Sequence, residues 1–176
     1  RHSNDGTEHY TTGRFYTESG NASGTGRDAG VSLIGAFVSP FPNLDWAVGN
    51  GTWDISTTAS WDDGVAAAFY QETNGLGNNV TFEDSTSAGG SITVTLDTTV
   101  APASTTADTT NSYTISGFGA ISGPGTITKT GSGTLALLCT GFSDLSGVIN
   151  INEGVLEVSA ANLGEFASSP PVIVFD

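Results

Sequence analysis

The stretch Gly125–Val158, GTITKTGSGTLALLCTGFSDLSGVININEGVLEV, constrains the fold of this chain more than any other. It holds two strand-like pairs, and the second echoes the first. Ile127–Thr130 (ITKT) corresponds to Val148–Ile151 (VINI), and Leu135–Leu138 (LALL) to Val155–Val158 (VLEV), at an offset of about 21 residues. That offset suits one coil of a solenoid repeat. Gly131 and Gly133 interrupt the first pair and Gly154 the second. Glycine suits the sharp corners of such a coil, because it turns without a Cβ clash. A unit this short needs a coil above and below to bury its apolar face. On this alignment Ile127 stacks near Val148, and Leu135 near Val155.

The rest of the chain divides by composition. Residues 1–30 are polar and glycine-rich, without apolar periodicity, and read as an arm or linker. Residues 31–45 hold the most apolar run, Val31–Val38 (VSLIGAFV), stopped by Pro40 and Pro42. From Trp46 the pattern becomes short strands punctuated by Gly, Asn and Asp. Candidates are Thr52–Ile55, Val80–Glu83, Ser91–Leu96, Tyr113–Ser116 and Gly119–Ile121. Ser91–Leu96 alternates strictly, with Ile92, Val94 and Leu96 on one face and Ser91, Thr93 and Thr95 on the other. Val65–Phe69 suits a short helix or a further strand. Ala101–Asn111 reads as a Thr/Ala-rich turn region. Residues 46–112 are thus expected to hold a cap and the first coils, and residues 113–176 the repeat region. Short strands with glycine corners suit an all-β solenoid or a β-sandwich. The repeat favours the solenoid.

The residues Lys129, Gly131, Gly133, Thr134, Leu135 and Leu137, followed by Gly147, Ile151, Gly154, Leu156 and Val158, carry a resemblance. They resemble the autotransporter-associated β-strand repeat of bacterial passenger proteins. The resemblance covers about residues 113–176, is weaker over 46–112 and does not extend to 1–45. It implies a right-handed parallel β-helix exported to the bacterial surface. It implies no chemical activity.

Composition narrows the function classes. Charged residues are 12% of the chain, with 18 acidic against 4 basic, for a net charge of −14. No basic patch exists to neutralise phosphate, so nucleic acid is not an expected partner. Anionic lipid is disfavoured on the same ground. No apolar run is long enough for a transmembrane helix. Acidic, hydroxyl-rich and lysine-poor composition fits a secreted or cell-surface protein. Methionine is absent even at position 1, so the chain is expected to begin after processing or inside a longer sequence.

Candidate chemistry is sparse. His2 and His9 lie in the arm near Asp5 and Glu8, but their spacing matches no metal-ligand motif. Asp62-Asp63 and Glu83-Asp84 are adjacent pairs, and adjacent residues on a strand face opposite sides. Neither is a ready-made acid/base couple. No nucleophile, zinc-protease or phosphate-loop motif is present. No catalytic residue, metal or cofactor is expected, and the chain reads as a non-enzyme. Cys139, the single cysteine, reads as a small buried hydrophobe. Lys129, the only lysine, reads as a residue for solubility and register, with Glu153 or Glu157 as a partner for an ion pair. Asn21, Asn50 and Asn79 begin glycosylation sequons, which arise readily in so Ser/Thr-rich a chain.

Three functions fit these readings. The first is a structural stalk or passenger segment, with further coils of a longer chain as its partners. The second is a self-assembling extracellular filament, in which Val31, Leu33, Ile34, Phe37 and Val38 form a strand donated to another copy. The third is a carbohydrate-binding module, in which Trp46, Trp53, Trp61 and Tyr70 stack on surface glycans. The competing role for those four aromatics is to plug the open end of the solenoid. The structural repeat positions common to all three are Gly131, Gly133, Leu135, Leu137, Gly154, Leu156 and Val158.

Overall fold

A computed structural model describes residues 41–85 and 90–159, together with the backbone of the strand Val172–Phe175. The inter-subunit strand expected at residues 31–38 and the histidines of the arm lie outside the described residues. The described part is all β, and it is a parallel β-solenoid.

The N-terminal end is built from short pieces. They are β1 (Leu44–Trp46), β2 (Gly51–Thr52), β3 (Trp61–Asp62), β4 (Ala67–Ala68), and the two strands β5 (Glu72–Thr73) and β6 (Leu76–Gly77). The coils follow. The first holds β7 (Asn79–Glu83), β8 (Ser91–Thr95) and β9 (Thr99–Val100). The second holds β10 (Ser104–Asp108), β11 (Ser112–Ser116) and β12 (Ala120–Ile121). The third holds β13 (Thr126–Thr130) and β14 (Thr134–Leu137), and its third side is marked by the bridge of Leu145 to Gly123. β15 (Val148–Ile151) and β16 (Val155–Val158) begin a fourth, and β17 (Val172–Phe175) pairs beyond β15.

Strands of successive coils pair in parallel. One face runs β17-β15-β13-β10-β7-β1, and the second runs β16-β14-β11-β8-β2. The third is the narrow pair β12-β9. A sandwich of hairpins would be antiparallel instead. Here antiparallel pairing is confined to the N-terminal end, in β1-β3, β3-β4 and β5-β6.

Alternation builds the core. In β8 the inward Ile92 and Val94 are buried while Ser91, Thr93 and Thr95 are exposed. Tyr113, Ile115, Leu135 and Leu137 continue the same interior columns. β-branched residues suit such a half-buried pleated surface. At the corner after β13 and β15, Gly131 and Gly154 both take positive φ, 71° and 77°.

The register of the repeat differs by one residue from the expected one. Ile127 pairs with Ile149 rather than Val148, and Leu135 with Leu156 rather than Val155. A slip of one residue exchanges the faces of a strand. Val148 and Val155 accordingly point outward, 38% and 53% exposed. Two further readings are corrected. Ala101–Asn111 is not merely a turn, because Ser104–Asp108 is a central strand between β7 and β13. Its inward residues are Thr105 and Ala107, so it lacks the apolar signal of a core strand. In Thr52–Ile55 only Thr52 lies in a strand, and within Val65–Phe69 only Ala67–Ala68 is strand.

Thr105 makes a prediction here. Its hydroxyl is buried between Val80 and Ile127 and has no hydrogen-bond partner. An unsatisfied buried donor costs about 1–3 kcal/mol. Thr105→Val keeps the shape and removes that cost, so its thermal midpoint should exceed the wild-type value. An unchanged or lower midpoint would show that the hydroxyl is satisfied.

Candidate functional site

Three places on the solenoid carry the residues singled out above. The first is the N-terminal plug. Trp46, Trp53, Trp61 and Tyr70 are all fully buried. Trp61 meets Trp46 edge to face at a centroid distance of 4.9 Å, and Trp53 at 5.2 Å. Tyr70 stands 5.3 Å from Trp53, and Phe82 of the first coil closes the cluster 5.5 Å from Trp61. These are favoured aromatic geometries. The chain reaches them by folding β3 and β4 back antiparallel to β1. Asn78, also buried, clips the return: its Oδ1 accepts from Gln71 N and its Nδ2 donates to Pro42 O, each at 2.7 Å. Burial raises the Tyr70 phenol well above its ordinary pKa, with Glu72 adding to the effect. The sugar-stacking alternative for these four residues is therefore corrected, and the competing role as a plug fits their burial. No ring offers a face to a glycan, because each is spent on the plug.

The second place is the corner between the first two faces. Asp84 organises it. Its carboxylate accepts from the Thr109 hydroxyl, from the Thr110 N and Oγ1, and from the Asn111 N and Nδ2. These partners belong to the next coil. The Thr109 and Thr110 bonds hold the Asp84 carboxyl far below the usual range. Asp63 instead serves its own turn, accepting from Val65 N and Ala66 N at 2.9 Å, and those bonds lower its pKa. The adjacent acids thus act as separate turn-builders. Among the described residues no group of three or more His, Cys, Asp or Glu is placed to hold a metal.

Asp84 gives a pH prediction. A carboxyl depressed in the folded state adds stability above its unfolded pKa of about 3.9, and loses it as pH falls toward the folded value. Asp84→Asn should cost about 1 kcal/mol at neutral pH, because solvent screens the charge at this half-exposed corner. In urea melts the gap to wild type should close as pH falls from about 5 toward about 2. A gap independent of pH would mean that the charge plays no part.

Lys129 lies at the same corner, and its place is a second correction. Alternation along β13 points it inward with Ile127, so it is fully buried and not a surface residue. Its Nζ donates to the carbonyls of Thr130 and Gly131. Burial lowers its pKa, opposed by the charges of Glu153, Asp108 and Asp84. Small Ala107 stands beside it in the neighbouring coil. Cys139 is a buried thiol whose Sγ donates to Ile115 O at 3.7 Å. Burial, with Asp97 adding to it, pushes that thiol up to about 11, so it is poorly nucleophilic at neutral pH.

The third place is the outer surface of the coils. On the face holding β8, β11 and β14, Ser91, Ser112 and Thr134 form one column, and Thr93 and Thr114 align in the next with Ala136, which is buried. Thr95 and Ser116 extend a third. On the other broad face Thr81, Thr106 and Thr128 align, but Glu83 and Asp108 stand in the adjoining column. Sequence reasoning marked Ser91, Thr93 and Thr95 only as the polar side of one strand. Their alignment with Ser112, Thr114 and Ser116 depends on a register set by the fold.

Comparison with known proteins brings no match: no family model, no curated protein and no solved structure aligns significantly with the chain.

The repeat positions fall where a coil needs them. Leu135 and Leu137 are buried, and Leu156 and Val158 pack partly buried against the same core. Seven large apolar side chains are exposed among the described residues, Val65 and Phe118 the most; Phe118 and Phe142 lie in the connections leading to the third side.

Proposed function

We propose that this chain is a non-enzymatic structural segment of a bacterial cell-surface protein, a β-solenoid stalk or passenger segment. The observation that carries the reading is the unbroken coil-to-coil pairing. From coil to coil each of the two broad faces pairs in parallel without a break, and Asp84 ties one corner to the next coil. Such a stack resists bending along its axis and works as a spacer. The resemblance to autotransporter-associated repeats and the acidic, lysine-poor composition support export. The aromatic plug closes one end. At the other, β16 and β17 are the last strands of their sheets among the described residues, where further coils or another copy would pair.

Surface labelling tests this. An antibody to the folded chain should stain intact cells of the source bacterium, and protease shaving should remove the stain. Staining only after permeabilisation would contradict the reading. The filament alternative makes a different demand. Deleting residues 1–38 should abolish polymerisation if those residues donate a strand, and leave assembly unchanged in a stalk.

A further inference from the structure

Asp45 and Asp62 stand directly opposite each other where β3 returns along β1. Two residue pairs hold that return, Asp45↔Asp62 and Trp46↔Trp61. The tryptophans point inward to the plug, so the two aspartates share the outward side, both half-buried. Like charges directly opposite on neighbouring strands weaken their pairing. On the other side of β1, Asp45 pairs with Thr81 of β7, and Glu83 follows two residues further along the same outward side. Asp45 is thus the middle member of three acids on three adjacent strands.

The charges around it are of one sign. Asp108 of β10, paired with Glu83, adds a fourth acid. Lys129, in the third coil, is the one basic residue among those described. Asp62 accepts from Gly64 N at 2.6 Å and Glu83 from the Ser85 hydroxyl, each within its own turn. Among the described residues no three acids are placed to hold a metal ion. Protonation is the relief open to them. Burial and the Glu83 charge raise the Asp45 carboxyl above its ordinary pKa, with Asp62 adding to this and the Thr81 hydroxyl opposing it.

We propose that Asp45 makes the return of β3 and β4 an acid-tightened clasp over the N-terminal plug. One proton taken up by its carboxylate ends the repulsion toward Asp62 and Glu83, and it gives Asp45 an O–H to donate. The clasp then closes β3 on β1. With the proton lost, β3 and β4 open locally while the coils stay folded. A carboxyl raised in the folded state adds stability below its unfolded pKa of about 3.9, and loses it as pH rises through the folded value. Asp84 responds in the opposite sense, so a global melt mixes the two and a local probe is needed.

Hydrogen exchange of the full chain supplies one. The Ala47 amide donates to Ser60 O at 2.9 Å, across the clasp, and the Leu138 amide to Ile115 O at 2.8 Å, between the second and third coils. As pH falls from about 6.5 to about 4, Ala47 protection in wild type should rise several-fold relative to that of Leu138, after correction for the intrinsic pH dependence of exchange. Asp45→Asn keeps the shape and an oxygen for the Thr81 hydroxyl. It should hold Ala47 protection at or above the acid value of wild type, whatever the pH. Asp62→Asn should leave a smaller rise than wild type. A flat or falling ratio in wild type would overturn the proposal, as would a full rise in folded Asp45→Asn. If Asp45→Asn does not fold, an undiminished rise in Asp62→Asn overturns it instead.

Discussion

Trp61→Ala should lower stability by about 3–5 kcal/mol. The indole sits between Trp46, Trp53 and Phe82, with centroids within 5.5 Å of each. It also belongs to β3, which covers β1 by antiparallel pairing at Trp46↔Trp61. Removing it opens a cavity at the end of the stack. It also loosens the strand that shields the edge of β1. Urea denaturation followed by circular dichroism measures the loss. Trp61→Phe should recover much of it, because a ring still fills the site. A loss below about 1 kcal/mol for Trp61→Ala would place the residue at the surface.

Gly133→Ala should cost about 3 kcal/mol or more, by overpacking rather than by a cavity. A Cβ at this corner would stand 2.0 Å from the Asn111 carbonyl oxygen and 2.7 Å from that of Thr109. Both are backbone atoms and have little freedom to move. Both also accept coil-to-coil bonds, Asn111 O from Thr134 N and Thr109 O from Gly133 N. Making room for one methyl group therefore breaks the ladder between the second and third coils. Ser132→Ala, one residue away and exposed, should change stability by less than about 0.5 kcal/mol. The pair separates corner geometry from a general effect of alanine. Equal stability of the two variants would mean that the coils are not so closely stacked.

The solenoid was legible in the sequence because its third and fourth coils carry their signal locally. Ile127, Leu135, Ile149 and Leu156 fall in short apolar-rich runs, and Gly131, Gly133 and Gly154 mark corners. What sequence could not fix was the register, since shifting VINI by one residue keeps an equally apolar match. The strand at Ser104–Asp108 was hidden because Thr105 and Ala107 fill inward positions opposite Val80, Phe82, Ile127 and Lys129. Small residues there leave room for Lys129 and for Tyr113, whose hydroxyl reaches Glu83 O. The tryptophans were visible as a cluster, but composition alone did not decide between a plug and a sugar platform. Their burial follows from the antiparallel return of β3 and β4, which is a tertiary event. Asp84 was hidden for a similar reason. Its partners lie 25 to 27 residues away and share no motif with it.

The spacer role rests on parallel, in-register coils. Disulfide trapping tests that register directly. In a Cys139→Ser background, Thr134→Cys with Val155→Cys places two outward thiols on paired positions. Ala136→Cys with Val155→Cys places them diagonally, about 7–8 Å apart, too far for a bridge without backbone movement. The first pair should oxidise fully to an intramolecular disulfide and the second should stay reduced. Closure of the diagonal pair, or of neither, would contradict the register.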